Sequence, residues 1–419
     1  MPEPAGCVIV GAGHAGVQVA AALRQRGYAA PIRLIDEQAA LPYQRPPLSK
    51  EFLAGKVGPE RLPQRPEPFY LSKDIELVRG DGVVEIDRAA RTVGLASGRT
   101  LPYAHLVLAT GARPRTLPVP GGADVPALHT VDVAISLRAA LARSRHVVII
   151  GAGIIGMEFA AAAAVDPTRT VTVVEALDRP LARLLSAQVA DHLAAAHEAL
   201  GVRIACSTTV TGVAATGSTA TDSTAASVVE LSSGELLPAD LVLAGIGVVP
   251  NVELAVAAGL PVADGILVDR HLRTSDPAVW AAGDAAAFPL RHGGIGRLES
   301  VQNATDQARA VAAAITGSPA PYAAVPWFWT EQCGRKVQIA GLRGSAELAV
   351  VRGAPREKSF SVLHFCAERL VCVESINRAT DHVAARKLLA AEVPALTPDQ
   401  AADPALDLRA HAAQAAAPA

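Results

Sequence analysis

Val147-Val148-Ile149-Ile150-Gly151-Ala152-Gly153-Ile154-Ile155-Gly156 is an apolar run of strand type that breaks into G-x-G-x-x-G and continues into an alanine-rich stretch of helix type. The same device stands earlier in the chain, where Cys7-Val8-Ile9-Val10 runs into Gly11-Ala12-Gly13-His14-Ala15-Gly16. Each copy leads to a second apolar strand that ends in acid. These are Ile32-Arg33-Leu34-Ile35 before Asp36-Glu37, and Val171-Thr172-Val173-Val174 before Glu175. A strand, a glycine turn, a helix and a second strand form a mononucleotide-binding unit with a parallel sheet, and this chain holds two.

The spacing has a chemical reason. The first glycine permits the tight turn, the second lets the backbone approach a pyrophosphate, and the third lets helix and strand pack closely. The helix start adds N–H groups and a positive dipole end. The acid about 20 residues on accepts hydrogen bonds from a ribose. One such motif alone can mark close packing, but two, each between strand and helix and each with its acid, predict two dinucleotide sites. Gly11, Gly13, His14, Ala15 and Gly16 are candidates for the first, with Asp36 or Glu37 as its acid. Gly151, Gly153, Ile154, Ile155 and Gly156 are candidates for the second, with Glu175. An acid at that strand end repels a 2′-phosphate, so the second site is expected to take NADH rather than NADPH.

Working outward, Leu106-Val107-Leu108-Ala109-Thr110-Gly111-Ala112-Arg113-Pro114 and Leu241-Val242-Leu243-Ala244-Gly245-Ile246-Gly247-Val248-Val249-Pro250 are matching buried-type strands that leave their sheets through glycine and proline. They bracket the second unit as domain crossings do. The expected organisation is a discontinuous first domain of residues 1–112 and 245–323, an inserted second domain of 113–244, and a third region of 324–408. In that third region, Ser359-Phe360-Ser361-Val362-Leu363-His364-Phe365 and Leu370-Val371-Cys372-Val373 read as antiparallel strands. The Thr-, Ser- and Ala-rich segment from Thr211 to Ser227 reads as a hairpin loop, and residues 409–419 as a frayed tail.

The 419 residues, half of them apolar, suffice for two or three domains. A formal net charge of -2 without a basic block argues against nucleic acid. No apolar run reaches the roughly 18 residues of a membrane span, and the first strand lacks the basic start of a signal peptide. Cys7, Cys206, Cys333, Cys366 and Cys372 are an odd number with no C-x-x-C, which fits a reducing, cytoplasmic setting. Asp284, in Trp280-Ala281-Ala282-Gly283-Asp284, can cap a helix. Beside two dinucleotide motifs it also reads as the ligand of a flavin's ribitol chain.

The succession GAGHAG, YQRPPLSK, ATGARP, GAGIIGMEFA, LVLAGIGVVPN, AAGD, ESVQNATDQA and PWFWTEQ resembles the oxygenase-coupled NADH:ferredoxin reductases of the putidaredoxin reductase type, within the glutathione-reductase fold. The resemblance runs from about Cys7 to about Arg378. It implies an α/β fold of two Rossmann-like domains, for FAD and NADH, and a C-terminal α+β domain with an antiparallel sheet. The implied activity passes electrons from NADH through tightly bound FAD to an acidic two-iron two-sulfur ferredoxin serving a monooxygenase or dioxygenase, in a monomer or weak dimer. A rubredoxin or nitrite-system reductase, and an NADH sensor similar to apoptosis-inducing factor, remain alternatives.

Dithiol members of the wider fold carry redox cysteines where this chain has Pro46-Pro47-Leu48-Ser49-Lys50. By the resemblance, Lys50 lies beside the isoalloxazine ring and pairs with Glu158, and Trp329 is an aromatic near the flavin. Arg45, Val83, Ala109, Thr110, Gly111 and Val301 match positions on FAD, largely through backbone. Arg183, Ile246 and Gly247 match positions on NADH. His129 stands where relatives place an arginine near the FAD pyrophosphate, and His14 is unusually bulky for its motif. Cys333-Gly334 and Ala379 also depart from the pattern, in the region expected to meet the partner. Arg309, Arg335 and Lys336 are the basic residues expected to steer it.

Overall fold

The computed structural model of the protein describes residues 4–215, 226–291, 293–344, 346–391 and 395–415. They form two compact units. One joins the chain up to Gln44 with Glu60–Arg113 and Val249–Pro326, and the other joins Arg45–Pro59, Pro114–Val248 and the chain from Trp327 onward.

In the first unit, the parallel strands Ile75–Arg79, Ile32–Asp36, Gly6–Val10 and Thr100–Leu108 lie side by side, with Val279–Ala281 parallel to the end of the last. Gly6–Val10 is buried along its whole length, as the continuous apolar run demands of a strand covered on both faces. Thr100–Leu108 also closes an antiparallel meander with Thr92–Leu95 and Val83–Asp87. The helices His14–Gln25 and Val301–Ile315 pack together through small residues, with Ala15, Ala304 and Ala308 buried.

In the second unit, the parallel order is Val202–Ala205, Thr170–Val174, His146–Ile150 and Leu241–Ala244. Beyond it lies a second sheet of five antiparallel strands, in the order Trp327–Gln332, Arg335–Gly341, Arg369–Ile376, Ser359–Cys366 and Leu348–Ala354. Helix Ala187–Glu198 is tied to this sheet at both ends. At its start Ser186 N–H donates to Glu374 at 2.8 Å, and near its end His197 Nε2 lies 3.0 Å from Gln332 Oε1. Buried Glu374 also meets His364 Nε2 at 3.0 Å.

Two expectations need correction. Thr211–Ala215 is not loop. It belongs to strand Val210–Ala215, paired antiparallel with Ser227–Leu231, because the ladder outweighs the weak composition of the segment. Residues 216–225 of that expected loop lie outside the described residues. Where a frayed tail is expected over 409–419, a helix runs over Leu408–Ala415 and buries Leu408 and Ala412, four residues apart on one face, while residues 416–419 of that expected tail lie outside the described residues. No helix among the described residues is long and apolar enough to cross a membrane.

Candidate functional site

The first glycine turn shows why its residues are fixed. Gly11 has φ +99°, and a methyl group there would stand 2.2 Å from Ala109 O. One on Gly16 would stand 1.9 Å from Gly11 O. Gly13 is different, because no atom lies within 4 Å of where its side chain would be. The backbone therefore faces open space at the position through which a pyrophosphate approaches, and no side chain caps the helix that starts there. The residues present fit a dinucleotide.

Asp36 braces this turn, accepting from Ala12 N–H at 2.7 Å and from Gln38 N–H at 2.8 Å, while Glu37 is exposed. Asp284 is brought to the same turn. Gly283, at φ +75°, would set a methyl 3.0 Å from Ala15 Cβ, and Gly283 N–H donates to buried Gln307 Oε1 at 2.8 Å. Arg297 Nη1 donates to Asp284 O at 2.7 Å and fixes the acid's backbone. Thr110 spends its hydroxyl on Asn251 O at 2.7 Å, and Asn251 Nδ2 returns a bond to Thr110 O at 2.8 Å. Asn251 N–H also donates to Gly111 O at 2.9 Å and Ala109 N–H to Val10 O at 2.8 Å, so the N–H groups of Thr110 and Gly111 are the backbone groups there that can meet a ligand. His14, Val83 and Val301 are half-buried, the last two at the starts of strand Val83–Asp87 and helix Val301–Ile315.

The second turn repeats the first inside the second unit. Gly151 has φ +99°, with a methyl position 2.5 Å from Gly245 O, and Gly156 would set one 2.1 Å from Gly151 O. Gly153 has only Gly245 O, at 3.7 Å. Glu175 accepts from Ala152 N–H at 2.7 Å and Leu177 N–H at 2.9 Å, the pattern of Asp36. Each carboxylate oxygen keeps a second lone pair for a ribose hydroxyl. Ile154 and Ile246 are half-buried, whereas Ile155, Arg183 and Gly247 are exposed.

Two residues beyond Gly156, the same helix places Glu158 at 3% exposure. Lys50 Nζ stands 2.8 Å from each of its carboxylate oxygens. The two prolines of the short helix Pro46–Ser49 fix its backbone, and Lys50 follows as its last cap. Ser49 donates to Glu158 Oε2 and Thr330 Oγ1 to Oε1, the latter at 2.6 Å. A buried carboxylate is costly unless paired and hydrogen-bonded, and this one has a cation and two hydroxyls.

Trp329 lies between Phe328 and Thr330 on strand Trp327–Gln332, so it faces away from the side that Thr330 turns to Glu158. Its neighbour is Trp327, with ring centroids 5.8 Å apart, and Trp327 in turn carries Arg386 over its face and His382 at its edge. Arg45 Nη1 contacts the ring of His129, closest to Nε2 and 3.1 Å from Nδ1, and because arginine only donates, the ring accepts. Among the basic residues expected at the partner's edge, Lys336 is exposed, Arg309 pairs with Asp306 at 2.7 Å, and Arg335 turns back to donate to Cys333 O. Cys333 and Gly334, at φ +49° and +68°, form the two-residue turn of a hairpin.

Sequence reasoning missed Ser49, Thr330, Arg297, Gln307 and Asn251. The quoted motifs contain all but Arg297, but each acts on a partner set by packing, and no local spacing points to it.

Residues 6–308 match the model of the pyridine nucleotide-disulphide oxidoreductase family, and residues 327–412 match the reductase C-terminal family. The chain is 47% identical to rhodocoxin reductase of Rhodococcus erythropolis, over 96% of this chain and 93% of that protein. Among solved structures, a ferredoxin reductase from Rhodopseudomonas palustris aligns with a TM-score of 0.93 at 47% identity, covering 98% of this chain and 100% of that one. The reductase in the covalent putidaredoxin reductase–putidaredoxin complex aligns with a TM-score of 0.92 at 37% identity, covering 98% and 99%.

Proposed function

The chain belongs to the pyridine nucleotide-disulphide oxidoreductase family, and from that premise we propose an FAD-dependent NADH:ferredoxin oxidoreductase that supplies an oxygenase. The observation that carries this reading is the ion pair of half-buried Lys50 with buried Glu158, Lys50 closing the segment where dithiol relatives hold cysteines. Among the five cysteines, none falls between Cys7 and Cys206, so electrons leave to an external acceptor rather than through a dithiol.

When bound, FAD supplies the conversion between the two-electron chemistry of NADH and the one-electron chemistry of an iron–sulfur partner. In the proposal the first unit holds FAD through the Gly11–Gly16 turn, with Asp284 at the ribitol chain and Asp36 or Glu37 at the ribose. The second turn holds NADH, with Glu175 at its ribose. Lys50 provides a cation for the charge that reduction adds, and Glu158 orients and neutralises that cation beforehand. Trp329 lies on the partner side. The three-domain division at 1–112 with 245–323, 113–244 and 324–408 belongs to the same reading, as do a cytoplasmic setting, an acidic two-iron two-sulfur ferredoxin and a monomer or weak dimer.

The test is an acceptor assay with purified protein and ferredoxins encoded in the same genome. NADH-dependent ferredoxin reduction with a large preference over NADPH is expected. Reduction of rubredoxin alone, or a long-lived reduced complex without turnover, overturns the reading.

A further inference from the structure

Glu158 is the end of a longer buried chain. Thr330 Oγ1 lies 2.6 Å from Glu158 Oε1, Gln332 Nε2 lies 3.0 Å from Thr330 Oγ1, and His197 Nε2 lies 3.0 Å from Gln332 Oε1. Exposure is 3% for Glu158, 0% for Thr330, 2% for Gln332 and 0% for His197. Thr330 and Gln332 are two apart on one strand and share a face, opposite the tryptophans.

The chain has one polarity. One end of the Gln332 amide only donates and the other only accepts. With its nitrogen toward Thr330, the threonine proton is left for Glu158, and its oxygen takes the Nε2 proton of His197. Reversing the amide would draw the threonine proton to Gln332 and set two oxygens against each other without a proton at 2.6 Å. Burial lowers the pKa of His197, the charge of Arg335 pushes the same way, and the bond to Gln332 opposes both. The ring is therefore neutral, with its one proton on Nε2 and a lone pair on Nδ1, which has no hydrogen-bond partner among the described residues.

A buried carboxylate supported by one ammonium alone would clamp it, because separating the two leaves an uncompensated charge. Here two hydroxyls remain on Glu158 when Lys50 moves. We propose that Thr330, aimed by Gln332 and His197, is a positioning residue that holds Glu158 as a fixed anion and so leaves Lys50 able to serve the flavin. This rests on the reading of the Lys50–Glu158 pair given above.

The experiment compares Thr330→Val, which keeps shape and loses the donor, with Thr330→Ser, which keeps the hydroxyl, in FAD-loaded protein. The readouts are the flavin midpoint potential, the limiting rate of flavin reduction and the KM for NADH. Thr330→Val is expected to lower the potential and cut the limiting rate on the order of tenfold, with KM within about twofold, since a hydrogen bond to a charged group is worth that much. Thr330→Ser is expected to restore both. If Thr330→Val does not fold, Gln332→Met carries the test, with a rate loss of about threefold and loss of the His197 Nε2–H signal in NMR. An unchanged potential and rate in Thr330→Val, or in Gln332→Met when it stands in, or failure of serine to restore them, overturns the proposal. Lys50→Met separates the causes. If it shifts the potential and Thr330→Val does not, only this inference fails; if Lys50→Met shifts nothing, the reading of the ion pair fails and this inference with it.

Discussion

The turns at Gly11–Gly16 and Gly151–Gly156 share φ +99° at the first glycine, an acid 2.7 Å from the N–H of the next residue, and room for a methyl group at the second glycine, where Gly13 meets nothing and Gly153 meets only Gly245 O at 3.7 Å. Two positions past the third glycine they part. The first helix carries Gln18 there, half-buried, and lies against the small-residue helix Val301–Ile315. The second carries Glu158, fully enclosed and bonded to Lys50, Ser49 and Thr330. The turn is thus a holder used twice, and the redox assignment rests on a single substitution of amide by carboxylate with the partners that stabilise it.

The comparison can be broken first at the holder. Gly16→Ala places a methyl 1.9 Å from backbone oxygen, so folded, flavin-loaded protein should be lost, as judged by yield and thermal melting. Gly13→Ala meets nothing and should fold with an unchanged melt while losing FAD affinity, read by flavin fluorescence. Next comes the position where the turns differ. Glu158→Gln should slow flavin reduction by NADH on the order of 100-fold in stopped flow, whereas Gln18→Ala should stay within about twofold. Equal effects would erase the distinction.

A smaller effect concerns the nicotinamide donor. Glu175→Ala should reduce the preference for NADH over NADPH by about tenfold in paired kcat/KM measurements, and an unchanged ratio would remove Glu175 from cofactor selection. The smallest is a pH effect in the C-terminal region. Burial, aided by the charges of Arg386 and Lys336, lowers the His382 pKa to about 4. The unfolded chain therefore binds the proton first as pH falls, so the stability this neutral ring contributes is fully present above about 6.5 and is lost toward about 4. His382→Phe should flatten the fall of melting temperature across that window.

Much of the fold was legible because its signals are local. Glycine spacing, apolar strands and terminal acids lie within about thirty residues of each other in both turns, and alternation gave the antiparallel C-terminal sheet. Lys50 and Glu158 are 108 residues apart, and only the family resemblance joined them. Ser49, Thr330, Gln332 and His197 carried no signal, since a buried hydroxyl or amide acquires its role from whatever packing sets opposite it. The composition of Thr211–Ala215 points to loop, and strand pairing overrides it. Over residues 409–415 the alanine-rich composition suggests a tail, but alanine, weak as a core residue, is the strongest helix former, and Leu408 and Ala412 need only one face to dock.

The most direct test of the account is the flavin midpoint potential of Lys50→Met beside that of the parent protein, measured by dye equilibration. A cation that stabilises added negative charge requires the variant's potential to be more negative, with FAD still bound. An identical potential in a fully flavin-loaded variant would contradict the role assigned to the Lys50–Glu158 pair.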